Sequence, residues 1–338
     1  MTAVFCVNAK DRSAETWKKQ LEPFTQLEFA VSDAAKGIES AVAQVAAGRR
    51  ADPAAAALDQ GLDVFHTTYE AKRVLTLHWR RAETAWEAAE AADAAVNHAK
   101  RQGIDARSRA VSARNAWKKA AEAFEDVQRR EAAWDRAHAA LDLFGPDGRL
   151  SNRAWAEAEI AAATADLTGP EWATVRNFLR DRRRLAFLDR MHARLATAEP
   201  RPEWREAMAW RWWLRHRRPA PTANPLTAMV RAAACQRTLD ADEQAAHDRV
   251  AAVLKGTVRA SSAVECMNSV LRMHQSRHRR MTQPMLDLKR LYWNSRTFRS
   301  GPRKDACPYK ALGLKLPTFD FWELLQAVPA ELTQELST

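Results

Sequence analysis

The stretch of this sequence best suited to chemistry begins at Arg259 and ends at Arg272. Ser262 is followed three residues later by Glu265, and Asn268 lies between Glu265 and Arg272. At helical spacing, Glu265, Asn268 and Arg272 share one face, so a carboxylate is followed along that face by an amide and a guanidinium. Carboxylate oxygens are hard ligands of the kind that Mg²⁺ prefers. An alternative interpretation is a capping box, in which Ser262 caps the helix and Glu265 reaches back to the cap's N–H.

Cationic residues dominate this part of the chain. The whole sequence carries a net charge of +11, and chains this basic tend to bind polyanions through phosphate groups. An incidental basic surface is the alternative, but the clustering favours a function. The residues that we predict to contact DNA phosphates are Arg259, Arg272, Arg277, Arg279, Arg280, Lys289, Arg290, Arg303 and Lys304.

Two acidic residues are associated with predicted strands in the first 70 residues. A strand predicted over residues 27–32 runs into Asp33, and a strand predicted over residues 61–66 contains Asp63 and His66. An acid at the carboxyl end of a strand lies where α/β folds bind their ligands. The alternative interpretations are that Asp33 is an ordinary helix N-cap and that His66 is structural. A further short strand is predicted over residues 3–7.

Taken together, these motifs resemble the C-terminal part of bacterial DDE-type transposases. The pattern Ser-Ser-x-x-Glu-x-x-Asn-Ser-x-x-Arg starts at residue 261, the basic stretch follows, and Tyr-Trp-Asn at 292–294 and Pro-Tyr-x-x-Leu-Gly at 308–313 complete it. The resemblance implies an RNase H-like core in which Asp33 and Glu265 are the second and third metal-binding carboxylates. It matches Asp63 and His66 to an auxiliary motif that some of these transposases carry after the second carboxylate.

The same resemblance implies metal-dependent cleavage and transfer of DNA strands, with Mg²⁺ or Mn²⁺ as cofactor and with the transposon ends of an insertion sequence and target DNA as partners. The family's first catalytic Asp has no counterpart in this sequence. We therefore expect the product of a truncated or frameshifted transposase gene that is inactive alone and associates with an upstream transposase fragment or with itself. The alternative is a non-catalytic, basic, helical DNA-binding or assembly protein.

The predicted fold class is α/β but predominantly helical, with a partial RNase H-like core interrupted by a large all-α insertion. The predicted segments are the α/β core at 1–70, the helical insertion at 71–250, the return of the core at 251–313 and a tail at 314–338. Apolar residues recur about every seven positions on both sides of Gly103, which predicts an antiparallel helical hairpin. Its tryptophans are predicted to pack against alanines of the partner helix.

Other features narrow the protein's class and environment. The four cysteines are scattered, which argues against a zinc site or a disulfide framework, and no signal peptide or membrane span is recognisable, so we expect a cytoplasmic protein. A basic aromatic cluster is interpreted as buried core with solvated arginines, or alternatively as a base-stacking surface. It comprises Trp204, Trp210, Trp212, Trp213, Arg215, Arg217 and Arg218.

Overall fold

The computed structural model describes residues 11–33, 35–50, 55–216, 225–259, 272, 282–300, 304–311 and 313–327. The described chain is predominantly helical with one two-stranded sheet, and its contacts divide it into two compact units. One unit contains Phe24–Ala35 and Val45–Ser261, and the other contains Met1–Pro23, Lys36–Gln44 and Ser262–Thr338. The strand predicted over residues 3–7 lies outside the described residues.

The first helix, α1 (Ala14–Leu21), begins at a side-chain cap. The Ser13 hydroxyl accepts a hydrogen bond from the Thr16 N–H, which satisfies one of the free donors at the helix start. The next helix, α2 (Lys36–Arg49), carries Gly37 where a side chain would not fit. A Cβ there would lie 2.1 Å from the carbonyl oxygen of Arg12, so only glycine allows this close backbone approach.

The sheet consists of two parallel strands, β1 (Phe29–Ser32) and β2 (Asp59–Leu62). In the chain they are connected through α2, which is the crossover that parallel neighbours require. Arg49 of α2 holds the segment before β1 in place, because its guanidinium donates to the carbonyl oxygens of Leu27 and Phe24, each at 2.6 Å.

The longest elements form the antiparallel hairpin expected from the sequence, α3 (Val64–Arg101) and α4 (Arg107–Ala140). The turn between them passes through Gly103, whose φ of 69° is readily adopted by glycine. Small apolar side chains recur at seven-residue intervals along both helices and are buried where the helices meet. They are Leu75, Ala82, Ala89 and Val96 of α3, and Ala113, Ala120 and Val127 of α4.

Aromatic rings line one flank of this alanine seam. The Trp86 ring meets Trp117 edge to face, with centroids 4.8 Å apart, and Phe124 in the same manner at 5.4 Å. Trp79 contacts Phe124 at 5.8 Å. We define these four residues as the aromatic flank. The rings therefore pack against one another beside the seam, an arrangement that the sequence analysis did not anticipate.

The helices that follow build the main core of the same unit. They are α5 (Arg153–Asp166), α6 (Ala173–Arg180), α7 (Ala186–Ala198), α8 (Pro202–His216), α9 (Pro225–Gln236) and α10 (Ala241–Lys255), with short 3₁₀ turns at Pro170–Trp172 and Arg182–Leu185. Trp172, Leu188 and Met191 are completely buried in this core. Helix α10 begins with a capping box between Asp240 and Glu243, and it packs against α7 and α8.

The other unit contains the described C-terminal helices, α11 (Gln283–Ser295), α12 (Pro308–Ala311) and α13 (Phe321–Gln326). Tyr292 of α11 contacts Phe321 of α13 edge to face, with centroids 5.3 Å apart. Among the helices of the described residues, none combines the length and the apolarity needed to cross a membrane.

Ion pairs with the buried Glu199 carboxylate link the connection between α7 and α8 to α10. Glu199 is 0% exposed, and its carboxylate accepts hydrogen bonds from the guanidinium groups of Arg201, at 2.7 and 3.0 Å, and Arg249. The hydrogen bonds from Arg201 are the largest influence, and together with those from Arg249 they lower the pKa of Glu199 to about 2. The carboxylate is therefore ionised in the folded protein under conditions in which an unfolded chain would protonate it.

We predict that these ion pairs make the stability of the protein sensitive to acid. The ordinary pKa of 4.5 applies in the unfolded chain, so the stabilisation is fully present above that value and is lost as the pH falls toward about 2. The free energy of unfolding in urea should be lower for Glu199→Gln than for the wild type at pH 7. The difference should shrink steadily below about pH 4.5. Glu125→Gln, at an exposed position of α4, is the matched control, and a pH-independent difference for Glu199→Gln would contradict this account.

We also predict that the alanine seam tolerates no enlargement. Ala120 is 0% exposed and the next residue, Ala121, is exposed on the same helix. Ala120→Leu should lower the free energy of unfolding by about 1–3 kcal/mol, because extra methylene groups force the close-packed helices apart. Ala121→Leu should change it by less than about 0.5 kcal/mol. Urea denaturation followed by circular dichroism measures both, and equal effects of the two substitutions would argue against a closely packed seam.

Candidate functional site

The carboxyl ends of the two strands place Asp33 and Asp63 side by side in the chain register. Ser32 pairs with Leu62, and the Asp63 N–H donates to the carbonyl oxygen of Ser32 at 2.8 Å, which extends the pairing by one residue. The two acids therefore follow neighbouring parallel strands at equivalent positions. This edge of a parallel sheet is where ligands bind in α/β folds.

The two carboxylates have different surroundings. Asp33 is exposed, and its Oδ1 accepts a hydrogen bond from the Ala35 N–H at 3.2 Å. Asp63 is only 3% exposed, and its Oδ1 accepts from the Phe65 N–H at 2.9 Å. Asp63 is thus the N-cap of α3 and stabilises the start of that helix.

The prediction of a strand over residues 61–66 was wrong at its C-terminal end. Strand β2 ends at Leu62, and His66 lies exposed in the first turn of α3. The physical reason is the Asp63 carboxylate, which satisfies a free donor at the start of the helix and so favours helix over continued strand. Asp63 and His66 are therefore separated by nearly one helical turn rather than lying along a strand.

The helical excursion returns to the same sheet edge. The Val64 N–H, at the start of α3, donates to the carbonyl oxygen of Arg259 at 3.1 Å. The Arg259 guanidinium donates to the carbonyl oxygen of Leu141 at 2.9 Å and lies 3.6 Å from the Asp142 carboxylate. The chain thus leaves the strand ends through α3 and comes back to them after α10.

The part of the chain that the structure describes supplies an incomplete set of metal ligands. Within it, no group of three or more His, Cys, Asp or Glu side chains is arranged to hold a metal ion. Asp33 offers an exposed carboxylate of the chemical type that suits Mg²⁺, whereas Asp63 is buried and engaged at the helix start. Glu265, the remaining predicted ligand, lies outside the described residues.

The predicted DNA-binding residues are only partly described. Arg272 and Lys304 are exposed, Lys289 is half-buried on α11, and Arg290 lies 3.3 Å from the Asp287 carboxylate. Arg259 is held by the contacts above. Arg277, Arg279, Arg280 and Arg303 lie outside the described residues.

The basic aromatic cluster contributes to the core of its unit. Trp204, Trp212 and Trp213 are partly buried and pack against that core. The Trp212 ring stacks between Phe144 and His216, with centroids 5.7 and 4.4 Å away. The Arg201 guanidinium lies 3.7 Å from the centre of the Trp204 ring, a cation–π contact.

Arg211, in the same helix as the aromatic cluster, was missed by the sequence analysis. It is 8% exposed, and it donates to the carbonyl oxygens of Ala234 and Arg237, each at 2.6 Å. Arg211 therefore satisfies acceptors at the C-terminal end of α9. The one signal for a buried cation in the sequence is that Arg211 lies between tryptophans, in Trp-Arg-Trp-Trp at 210–213. Arg217 and Arg218 lie outside the described residues.

Comparisons of the chain with protein-family models, with curated proteins and with solved structures found no match.

We predict different consequences for the two acids at the strand ends. Asp63→Ala removes the N-cap of α3 and should lower the free energy of unfolding by about 0.5–2 kcal/mol, whereas Asp63→Asn keeps an acceptor and should cost less. Asp33→Ala, at an exposed position, should change it by less than about 0.5 kcal/mol. Thermal and urea unfolding of the three variants measures these values. A larger loss for Asp33→Ala than for Asp63→Ala would reverse the roles assigned here.

Proposed function

We propose that this protein derives from a DDE-type transposase with an RNase H-like core, that it binds DNA, and that it lacks strand-cleavage activity by itself. The observation that carries the proposal is the equivalent register of Asp33 and Asp63, which directly follow two adjacent parallel strands at one sheet edge. A nuclease of this class needs carboxylates from separate elements at one sheet edge, because metal ions must bind the scissile phosphate there.

The return of the chain supports the same proposal. A catalytic core interrupted by a helical insertion requires that the insertion leave and re-enter at one place. The hydrogen bond from Val64 to the Arg259 carbonyl oxygen joins the exit and the re-entry at the strand ends. Glu265 follows Arg259 by six residues in the sequence and is proposed, from the resemblance, as a further carboxylate.

In the intact chemistry, Asp33 and Glu265 would supply oxygen ligands to Mg²⁺ or Mn²⁺, which stabilises the entering and leaving oxygens of a phosphoryl transfer. The exposure of Asp33 suits this role, because its carboxylate is accessible to a ligand at the sheet edge. The buried Asp63 would act by holding the start of α3, and through it the strand end, in place. A complete site requires the family's first catalytic Asp, for which we find no counterpart in the sequence.

One observation favours the second candidate function, a non-catalytic DNA-binding or assembly protein. Asp63 acts as a helix cap in the structure, which explains its presence without any catalytic role. The two candidate functions differ in what the acids do, and an assembly protein would not need to bind DNA.

We predict that the basic C-terminal segment binds DNA through phosphate contacts. The affinity for a duplex, measured by fluorescence anisotropy, should fall linearly with salt on logarithmic axes between about 50 and 200 mM. Lys289→Ala and Lys304→Ala should each reduce the magnitude of the slope by about 0.9. Arg149→Ala, an exposed cation of the other unit, is the matched control and should leave the slope unchanged. Absence of binding at about 50 mM salt would contradict the transposase-derived function and would leave only the assembly role of the second candidate.

The purified chain should not nick supercoiled DNA in the presence of Mg²⁺ or Mn²⁺, because the family's first catalytic Asp has no counterpart here. Nicking that is lost in both Asp33→Ala and Glu265→Gln would overturn the predicted inactivity and would support the catalytic roles of these two residues. Nicking that survives both substitutions would contradict those roles.

A further inference from the structure

The hairpin carries opposite charges on its two helices near the turn. Residues 83–93 of α3 include Glu83, Glu87, Glu90 and Asp93 and no lysine or arginine. Residues 107–119 of α4 include Arg107, Arg109, Arg114, Lys118 and Lys119 and no acid. One helix of this half of the hairpin is therefore acidic and its partner is basic.

The aromatic flank lies between the two helices, and its indole N–H groups donate to acids of α3: Trp86 to Glu90 at 2.9 Å and Trp117 to Asp93 at 3.1 Å. Each of its residues follows a buried seam residue by four positions, so all four lie on the same side of the hairpin. Trp86 keeps 42% of its surface exposed, although it contacts two other rings. Trp79, Trp117 and Phe124 are half-buried, so the flank is a partly exposed apolar stripe with charged edges, as protein–protein contact surfaces can be.

The charges on the two edges lie at matching heights along the hairpin. The Trp86 ring contacts both Trp117 and Phe124, which fixes the relative position of the two helices to within about one helical turn. Glu90 lies one turn beyond Trp86 toward the hairpin turn, and Arg114 lies one turn from Trp117 in the same direction, because the helices are antiparallel. Glu87 directly follows Trp86 and Lys118 directly follows Trp117, so these two charges also lie within about one helical turn of each other along the hairpin. Glu87 and Glu90 of α3 thus each have a basic counterpart across the flank.

We propose that the aromatic flank is a self-association surface, on which the hairpins of two copies of this chain lie face to face. The twofold axis of this dimer is parallel to the hairpins' long axis. This rotation exchanges the two edges, so α3 of each copy faces α4 of the other. Glu87 and Glu90 then lie opposite Lys118 and Arg114 of the second copy, and the four-ring stripes pack against each other.

The charge pattern selects both the partner and its orientation. A twofold axis perpendicular to the hairpin would place α3 on α3 and would oppose like charges, which disfavours that arrangement. Duplex DNA would be repelled by the acids of α3, so a polyanion does not fit this flank. A second copy supplies, by symmetry, a basic helix for the acidic one and an acidic helix for the basic one. The inference stands independently of any role in transposition.

Charge exchange in the full-length protein tests the proposal. Glu87→Lys combined with Glu90→Lys makes both helices basic, and Arg114→Glu combined with Lys118→Glu makes both acidic. Sedimentation equilibrium should show a wild-type dimer, and each double variant should self-associate at least about tenfold more weakly. An equimolar mixture of the two variants should form a heterodimer, because every facing pair is then opposite in charge.

A matched control uses the opposite side of the hairpin. Arg109→Glu combined with Lys119→Glu changes exposed charges of α4 away from the flank, by the same net amount as Arg114→Glu with Lys118→Glu, and should leave the wild-type dimer unchanged. A wild-type chain that stays monomeric up to about 100 μM would overturn the proposal. So would a dimer that neither double variant weakens, or a mixture that fails to associate.

Chemical cross-linking keeps the proposal testable if a charge variant fails to fold. A mixture of ¹⁵N-labelled and unlabelled wild-type protein is treated with a carbodiimide, which joins a carboxylate to a nearby lysine. Mass spectrometry should find mixed-isotope cross-links between Lys118 and either Glu87 or Glu90. Intermolecular cross-links confined to other surfaces would contradict the proposed dimer.

Discussion

The larger unit depends on one constraint: the helical segment that leaves the strand ends at Val64 must return to them at Arg259. A single backbone hydrogen bond, from Val64 to the Arg259 carbonyl oxygen, joins the residue where the chain leaves the strand ends to the residue where it returns. The Arg259 guanidinium reinforces the junction through the backbone of Leu141 at the base of the hairpin. Because the exit, the return and the hairpin base meet at one place, the sheet edge can be rigid although the two strands contain only eight residues. A two-stranded sheet is not stable alone and needs such packing.

The hairpin shows how packing and recognition divide the surface of one element. The alanine seam brings α3 and α4 close together, so that bulky side chains are excluded from the seam and gather on one flank. There the rings of Trp86, Trp117 and Phe124 bury part of their apolar surface against one another, and the rest of that surface stays accessible to solvent. Stability therefore resides in the small residues, and the capacity to bind a partner resides in the large ones beside them.

The two acids at the strand ends illustrate how burial separates similar residues. Asp33 and Asp63 are equivalent in register, yet one is exposed and the other is buried and capping a helix. A buried carboxylate that accepts a helix N–H is fixed by that bond, whereas an exposed one can exchange water for a ligand. The sheet edge is thus asymmetric, and its candidate chemistry rests on the exposed residue.

Local signals in the sequence determined much of this fold. Caps such as Ser13 and Asp240, the glycine at the hairpin turn and the seven-residue apolar repeat each act within a few turns of chain, so helix positions could be predicted. The position of Asp33 after a strand could also be predicted, whereas Asp63 was predicted within a strand and instead follows one. Three features required contacts between distant residues: the parallel register of the strands, the role of Asp63 as a cap, and the attachment of Arg259 to Leu141. These depend on which partners folding brings within hydrogen-bonding distance, and a linear pattern of residue types carries no such information.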